Sequence, residues 1–104
     1  MAIPLPGRAA VLSAGIDETI RLWDVDSGQS LRTLSNHTRP VHHLALRPNA
    51  DDDTPPSVAS VSEDRTVRLW QPTIGRLVRF VRLKSVPMEV AWTADGRTLY
   101  VACK

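Results

Sequence analysis

Cysteine occurs once in these 104 residues, at Cys103, so no internal disulfide can staple the fold. No apolar run approaches the length of a membrane-spanning helix. The opening MAIPLPGRAAVLSAG has an apolar stretch, but two prolines and a glycine interrupt it and no basic segment precedes it, which speaks against a secretory signal. A cytoplasmic setting, with no membrane partner, is the expectation. The chain also lacks a glycine-rich phosphate loop and any G-x-S-x-G elbow. Three histidines and one cysteine do not make a zinc pattern. His42 and His43 are adjacent on an expected strand, so they point to opposite faces and cannot chelate one ion together. Asp51-Asp52-Asp53 is acidic, yet the alternating spacing and distal Glu of a calcium loop are missing. No metal, cofactor or catalytic residue is therefore assigned. A net charge of +2 is too small to argue for nucleic acid. The basic run Arg76, Arg79, Arg82 and Lys84 does not change this, because its residues do not form a single stripe.

What the sequence does have is a segment written twice. Residues 13–25 read SAGIDETIRLWDV and residues 60–72 read SVSEDRTVRLWQP. Ser13, Asp17, Thr19, Arg21, Leu22 and Trp23 recur as Ser60, Asp64, Thr66, Arg68, Leu69 and Trp70, always 47 residues on. Gly28 recurs as Gly75 at the same separation. Periodicity on this scale marks a supersecondary unit used more than once. A further partial copy aligns VHHLALRP at 41–48 with MEVAWTADG at 88–96, at a separation of 46. Val58-Ala59 matches Leu99-Tyr100 at 41, and the five-residue difference falls in NADDDTPPS, an exposed loop by composition. Without that insertion the period is about 42.

The repeated unit reads as β-structure. TIRLW and TVRLW are β-branched and aromatic, and each follows an Asp-containing turn. By parity, Thr66, Arg68 and Trp70 share one face while Val67 and Leu69 share the other. Apolar groups on both faces imply a sheet sandwiched between two neighbours, as in stacked blades.

On these residues the chain resembles the WD-repeat β-propeller family, from about Gly7 to Lys104, and the first copy even ends in the dipeptide Trp23-Asp24. The resemblance implies an all-β fold of antiparallel four-stranded blades, here a partial propeller. The expected division is 7–34 for the end of a first blade, 35–83 for a full blade and 84–104 for the start of a third, nine strands in all. It also implies a polar network in each blade, linking a His before the innermost strand to a Ser, an Asp and a Trp. The matching residues are His37, Ser60, Asp64 and Trp70 in the middle copy and Ser13, Asp17 and Trp23 in the first. A Ser, His and Asp together imitate a hydrolase triad, but their fit to the blade pattern assigns them to structure.

Such proteins serve chiefly as platforms for other proteins or peptides, which dock on the rim of turns around the channel. Here those turns are Asn36–Arg39, Ile16–Glu18, Glu63–Arg65 and Lys84–Pro87, and they offer Arg39, Glu63, Arg65 and Lys84 as candidate contacts. The expected function is a non-catalytic interaction scaffold, with a docking or regulatory segment of a larger multidomain enzyme as the alternative. A ring needs about four blades or more, and the chain holds little over two. It is expected, first, to be a piece of a longer propeller; second, to assemble into a ring with other copies; third, to stand alone. An arc of this size leaves two blade faces open, and they invite self-association. Val11, Ile20 and Leu22 are assigned to one, and Val90, Trp92 and Leu99 to the other.

Overall fold

The short alternating runs fold as strands wherever a turn residue separates them. A computed structural model describes residues 1–5, 7–48 and 55–104; Asp51-Asp52-Asp53 and the rest of the inserted loop up to Thr54 lie outside these. The described residues form ten strands: β1 (Ala2–Leu5), β2 (Ala10–Ala14), β3 (Ile20–Asp24), β4 (Ser30–Leu34), β5 (Val41–Leu46), β6 (Val58–Ser62), β7 (Thr66–Gln71), β8 (Arg76–Arg82), β9 (Pro87–Trp92) and β10 (Leu99–Cys103). They pair antiparallel in chain order as two four-stranded sheets, β1-β2-β3-β4 and β5-β6-β7-β8, and one two-stranded sheet, β9-β10. The sheets do not close into a ring.

Both copies of the repeat turn the chain in the same way. Glu18 and Arg65, equivalent residues, adopt positive φ of 71° and 69°. Side chains with a Cβ rarely take this conformation. Here the preceding carboxylate supports it: Asp17 Oδ1 accepts from the Thr19 N–H at 3.3 Å, and Asp64 Oδ1 from the Thr66 N–H at 3.0 Å. An Asp at the turn closes a local ring with the backbone two residues on, so the repeated Asp-x-Thr is a turn instruction.

The middle sheet is buried on both sides. All five residues of β6 are buried. Leu5, Leu12, Ile20, Leu22 and Leu34 of the first sheet pack with Val41, Leu44, Val58 and Trp70 of the second. On the other side Ala59, Val61 and Val67 meet Val90, with Trp92, Leu99 and Val101 at the margin. Strand period two explains the division, since Val58 and Ser60 point one way and Ala59 and Val61 the other. Strands β1, β5 and β9 lie side by side, each sheet's innermost edge.

Two expectations need correction. The first sheet has a strand more than the sequence reading allowed, because β1 supplies its innermost position, so ten strands replace nine. Proline at position 4 breaks the strand pattern there, but an edge strand tolerates it because one side needs no donor. The open faces also differ from the expectation for every side chain but Val11. Ile20 and Leu22 are buried, at 1% and 6% exposure, against the second sheet, and Val90 at 2% packs on that sheet from the other side. Trp92 and Leu99 are half-buried beside Val90. The outward faces carry Val11, as expected, together with Ser13 and Trp23 at one end, and Glu89, Ala91 and Tyr100 at the other.

Leu12 is fully buried between sheets, whereas Tyr100 is 66% exposed on the outer face of the third. Leu12→Ala is therefore expected to lower unfolding free energy by about 2–5 kcal/mol, and Tyr100→Ala to change it by no more than about 0.5 kcal/mol. Chemical denaturation of both variants checks this; equal losses would contradict the stacking order.

Candidate functional site

Four elements bring one polar chain together in the second sheet. His37 comes from the β4–β5 connection, Ser60 from β6, Asp64 from the β6–β7 turn and Trp70 from β7. The Trp70 indole N–H donates to Ser60 Oγ at 2.8 Å. Ser60 Oγ lies 2.7 Å from His37 Nε2, and His37 Nδ1 lies 2.8 Å from Asp64 Oδ2. The donors fix the direction of the chain. An ionised carboxylate can only accept, so Nδ1–H donates to Asp64, and Nε2 of the neutral ring accepts from the Ser60 hydroxyl, which itself accepts the indole N–H. The imidazole is then the neutral Nδ1–H tautomer, donating to the carboxylate. Thr66 was missed as a member: it is buried, its hydroxyl donates to Asp64 Oδ1 at 2.5 Å, and it lies 3.2 Å from His37 Nδ1. Its recurrence as Thr19 and Thr66 was the available signal. The Thr38 N–H completes the carboxylate's shell at 3.1 Å.

This order, hydroxyl to imidazole to carboxylate, is also that of a hydrolytic triad. Access makes the difference. Ser60 is 0% exposed and its oxygen is capped by the Trp70 N–H, while His37 is 3% exposed. No substrate carbonyl can reach a hydroxyl so placed, and no buried side-chain polar atom among the described residues lacks a partner.

Burial and hydrogen bonding oppose each other at both titratable groups. Burial lowers the His37 pKa, with the hydrogen bond and charge of Asp64 pulling the other way. Burial pushes the Asp64 carboxyl upward, but hydrogen bonds from Thr66, His37 and the Thr38 N–H outweigh it and hold the pKa at about 2. The first sheet repeats only part of this. Trp23 donates to Ser13 Oγ at 2.8 Å, and Asp17 takes the Thr19 hydroxyl at 2.8 Å and Arg21 Nε at 3.4 Å. The Asp17 side chain is 55% exposed against 5% for Asp64.

The rim residues stand nearby with different degrees of freedom. Arg39, Arg65 and Lys84 are exposed. Arg65 Nη1 reaches the Lys84 carbonyl at 3.5 Å, joining two of the turns. Glu63, in contrast, is half-buried and held by His42 Nε2 at 2.6 Å. That hydrogen bond lowers its pKa, with the charges of Lys104, His42 and Arg39 adding to the effect. His43 points away and accepts the Val90 N–H at 3.3 Å, so neither of the adjacent histidines touches His37. Among the described residues no group of three or more His, Cys, Asp and Glu could hold a metal ion, and no helix is long and apolar enough to cross a membrane.

Stacked four-stranded antiparallel sheets, each with an Asp turn and a Ser–Trp link, define a segment of a β-propeller. Comparison supplies the family. Residues 28–71 match the model described as WD domain, G-beta repeat. Coronin-7 of Bos taurus is 36% identical over 95% of this chain and 11% of its own length. The serine-threonine kinase receptor-associated protein of Gallus gallus is 29% identical over 89% of this chain and 25% of its own. The solved WD40 beta propeller domain of Doa1 matches with a TM-score of 0.86 and 27% identity, over 99% of this chain and 32% of that one. The chain belongs to the WD-repeat β-propeller family, whose fold is generally a non-catalytic interaction scaffold. It spans between 11% and 32% of the length of these relatives.

The two Asp turns yield a paired prediction. Asp64→Ala strips buried His37 and Thr66 of an acceptor and is expected to destabilise the chain by about 1–3 kcal/mol. Asp17→Ala removes a solvated carboxylate and is expected to lower stability by less than about 1 kcal/mol. Thermal denaturation compares them, and equal losses would show that burial is not what makes Asp64 matter.

The pKa shifts predict a further trend. A His whose folded pKa lies below the ordinary 6.5 binds its proton more weakly when folded, so its stabilisation is present above 6.5 and is lost as pH falls below it. Asp64 adds stability above 3.8 that is lost between 3.8 and about 2. Both slopes make acid destabilising. The melting midpoint is expected to drop below pH 6.5 and the drop to be shallower in His37→Gln; an equally steep drop would exclude His37 as its source.

Proposed function

We propose that this chain acts as a non-catalytic platform for a protein or peptide partner, docked on the rim formed by Arg39, Glu63, Arg65 and Lys84. One observation carries the reading: the single Ser-His-Asp arrangement among the described residues is sealed from solvent, while the turns it braces hold exposed charges outward. Turns tied into a buried network are pre-organised, which reduces the ordering cost of binding. Three rim groups are exposed cations without a carboxylate ion pair among the described residues, and the one carboxylate is engaged by His42. The complementary partner is therefore an acidic segment.

The setting we propose is cytoplasmic, and the platform is shared with further blades. The latter rests on the two outward sheet faces, where Trp23 is only half-buried and Tyr100 is exposed, and on which another blade of the same kind would stack. No observation favours the alternative of a docking segment within an enzyme.

A random-sequence peptide library displayed on phage and panned against the chain tests the rim. Enriched peptides are expected to be acidic and to lose at least about tenfold in affinity for an Arg39→Ala/Arg65→Ala/Lys84→Ala variant whose melting midpoint is unchanged. Peptides that bind this variant as tightly as the parent would overturn the assignment.

A further inference from the structure

The outermost strand of the second sheet is unlike an ordinary edge. β8 is seven residues long, and among the described residues β7 is its only strand partner, so alternate residues direct an unpaired N–H and C=O outward. Val78, Phe80 and Val81 are each about half exposed, at 49%, 49% and 50%. Arg76, Arg79 and Arg82 are exposed too, and among the described residues none of the three is ion-paired or hydrogen-bonded through its side chain. The register places Phe80 opposite Arg68, whose guanidinium lies 4.7 Å from the ring centroid. Phe80 is thus held in place by a cation on the neighbouring strand, and not left to collapse onto the core.

We infer that the free edge of β8 is a docking site for an extended acidic peptide, added as a fifth strand to the second sheet. Backbone pairing supplies affinity and alternate side chains supply specificity in this mode of recognition. The side chains of β8 define what the added strand must carry. Carboxylates belong opposite Arg82 and Arg79, and small apolar residues opposite Phe80 and Val81, because directly opposed residues form the unit of sheet stabilisation. A second copy of β8 is a poor occupant. An antiparallel self-pairing centred on Arg79 sets Arg79 against Arg79 and Arg76 against Arg82, and like charges so placed repel. The same three arginines therefore reject self-assembly and select an acidic partner. The surface differs from the rim, and the inference does not depend on the rim reading.

The test uses a fluorescein-labelled nine-residue peptide built on Glu-Val-Val-Glu, followed by anisotropy at about 0.15 M salt, where charges beyond roughly 8 Å are screened. The whole 104-residue chain is expected to bind it. Binding should weaken at least about tenfold when Lys replaces Glu, and again when alternate peptide nitrogens facing β8 are methylated, which removes backbone pairing and keeps the charge. An Arg76→Gln/Arg79→Gln/Arg82→Gln variant should lose binding, and the rim triple-alanine variant should keep it. Equal binding of the methylated peptide would mean adsorption by charge alone and would overturn the proposal, without needing any variant to fold. Loss of binding on the rim variant only would move the peptide to the rim and also overturn it. Displacement by an oligothymidylate at lower concentration than the unlabelled peptide would make the surface a nucleic-acid site, with the same consequence.

Discussion

The structure hangs on one directed chain of hydrogen bonds, from the Trp70 indole through Ser60 and His37 to Asp64. Each member comes from a different element, so the chain fixes where the β4–β5 connection, two strands and a turn meet. It works in one direction only, because its first group cannot accept and its last, ionised, cannot donate. Breaking it at any point strands a buried polar group, at a cost of about 1–3 kcal/mol for each group left unpaired. Water cannot stand in, since the sheet carrying Ser60 has a neighbour on both faces. The hydrophobic packing and the polar chain thus require each other: stacking excludes water, and the exclusion gives the hydrogen bonds their hold.

The first sheet shows the same residue types without that hold. Asp17, Ser13 and Trp23 make the corresponding local contacts, but no imidazole joins them among the described residues, and Asp17 is mostly in water. The difference comes from surroundings, not from the motif. Asp64 is pulled to a pKa of about 2 by donors that must also compensate its burial. Asp17 is lowered chiefly by the Thr19 hydroxyl and backbone beside it, with little burial to overcome. A sequence motif of this type therefore guarantees the turn, and stacking decides whether the turn becomes a clamp.

Much of this was legible in the residues, for a physical reason. An Asp two positions before a Thr, set between a Ser and a Trp ten residues apart, encodes geometry locally, and local geometry survives into the fold. Strand pairing even reproduces the shift in the repeat. Leu46 pairs with Val58 and Trp92 with Leu99, so the loop between them is five residues longer in the middle copy, as the separations of 46 and 41 require. Pro4, opposite Val11, occupies the equivalent place in the first copy, 42 residues before Leu46, and this relation could have revealed β1. The proline concealed it, since a strand signal is judged on residues that donate. What period two could not reveal was which face looked outward. Parity separates Ile20 from Trp23 but does not say which one meets the neighbour, because both are apolar. The answer lies in contacts between sheets, which no local pattern contains. The hold of His42 on Glu63 is of the same kind, since it joins β5 to the β6–β7 turn and no local pattern contains it.

The buried network and the exposed surface are connected through one residue. Arg68 Nε donates to the Thr66 hydroxyl at 3.3 Å, and its guanidinium lies over Phe80 on the outer strand. Thr66 in turn is bound to Asp64. A continuous run of contacts therefore leads from the sealed carboxylate to an aromatic ring at the edge of the sheet. Arginine suits this position because its planar head can stack on a ring while its stem stays packed. Phe80 and Arg68 constrain each other, which would reduce the ordering cost of the docking proposed at this edge. An interior whose one Ser-His-Asp arrangement among the described residues is sealed from solvent, with Arg76, Arg79 and Arg82 exposed and without an ion-pair partner among the described residues, is physically suited to binding. In the binding proposed at β8 the interior supplies the order, and Arg76, Arg79 and Arg82 supply the attraction.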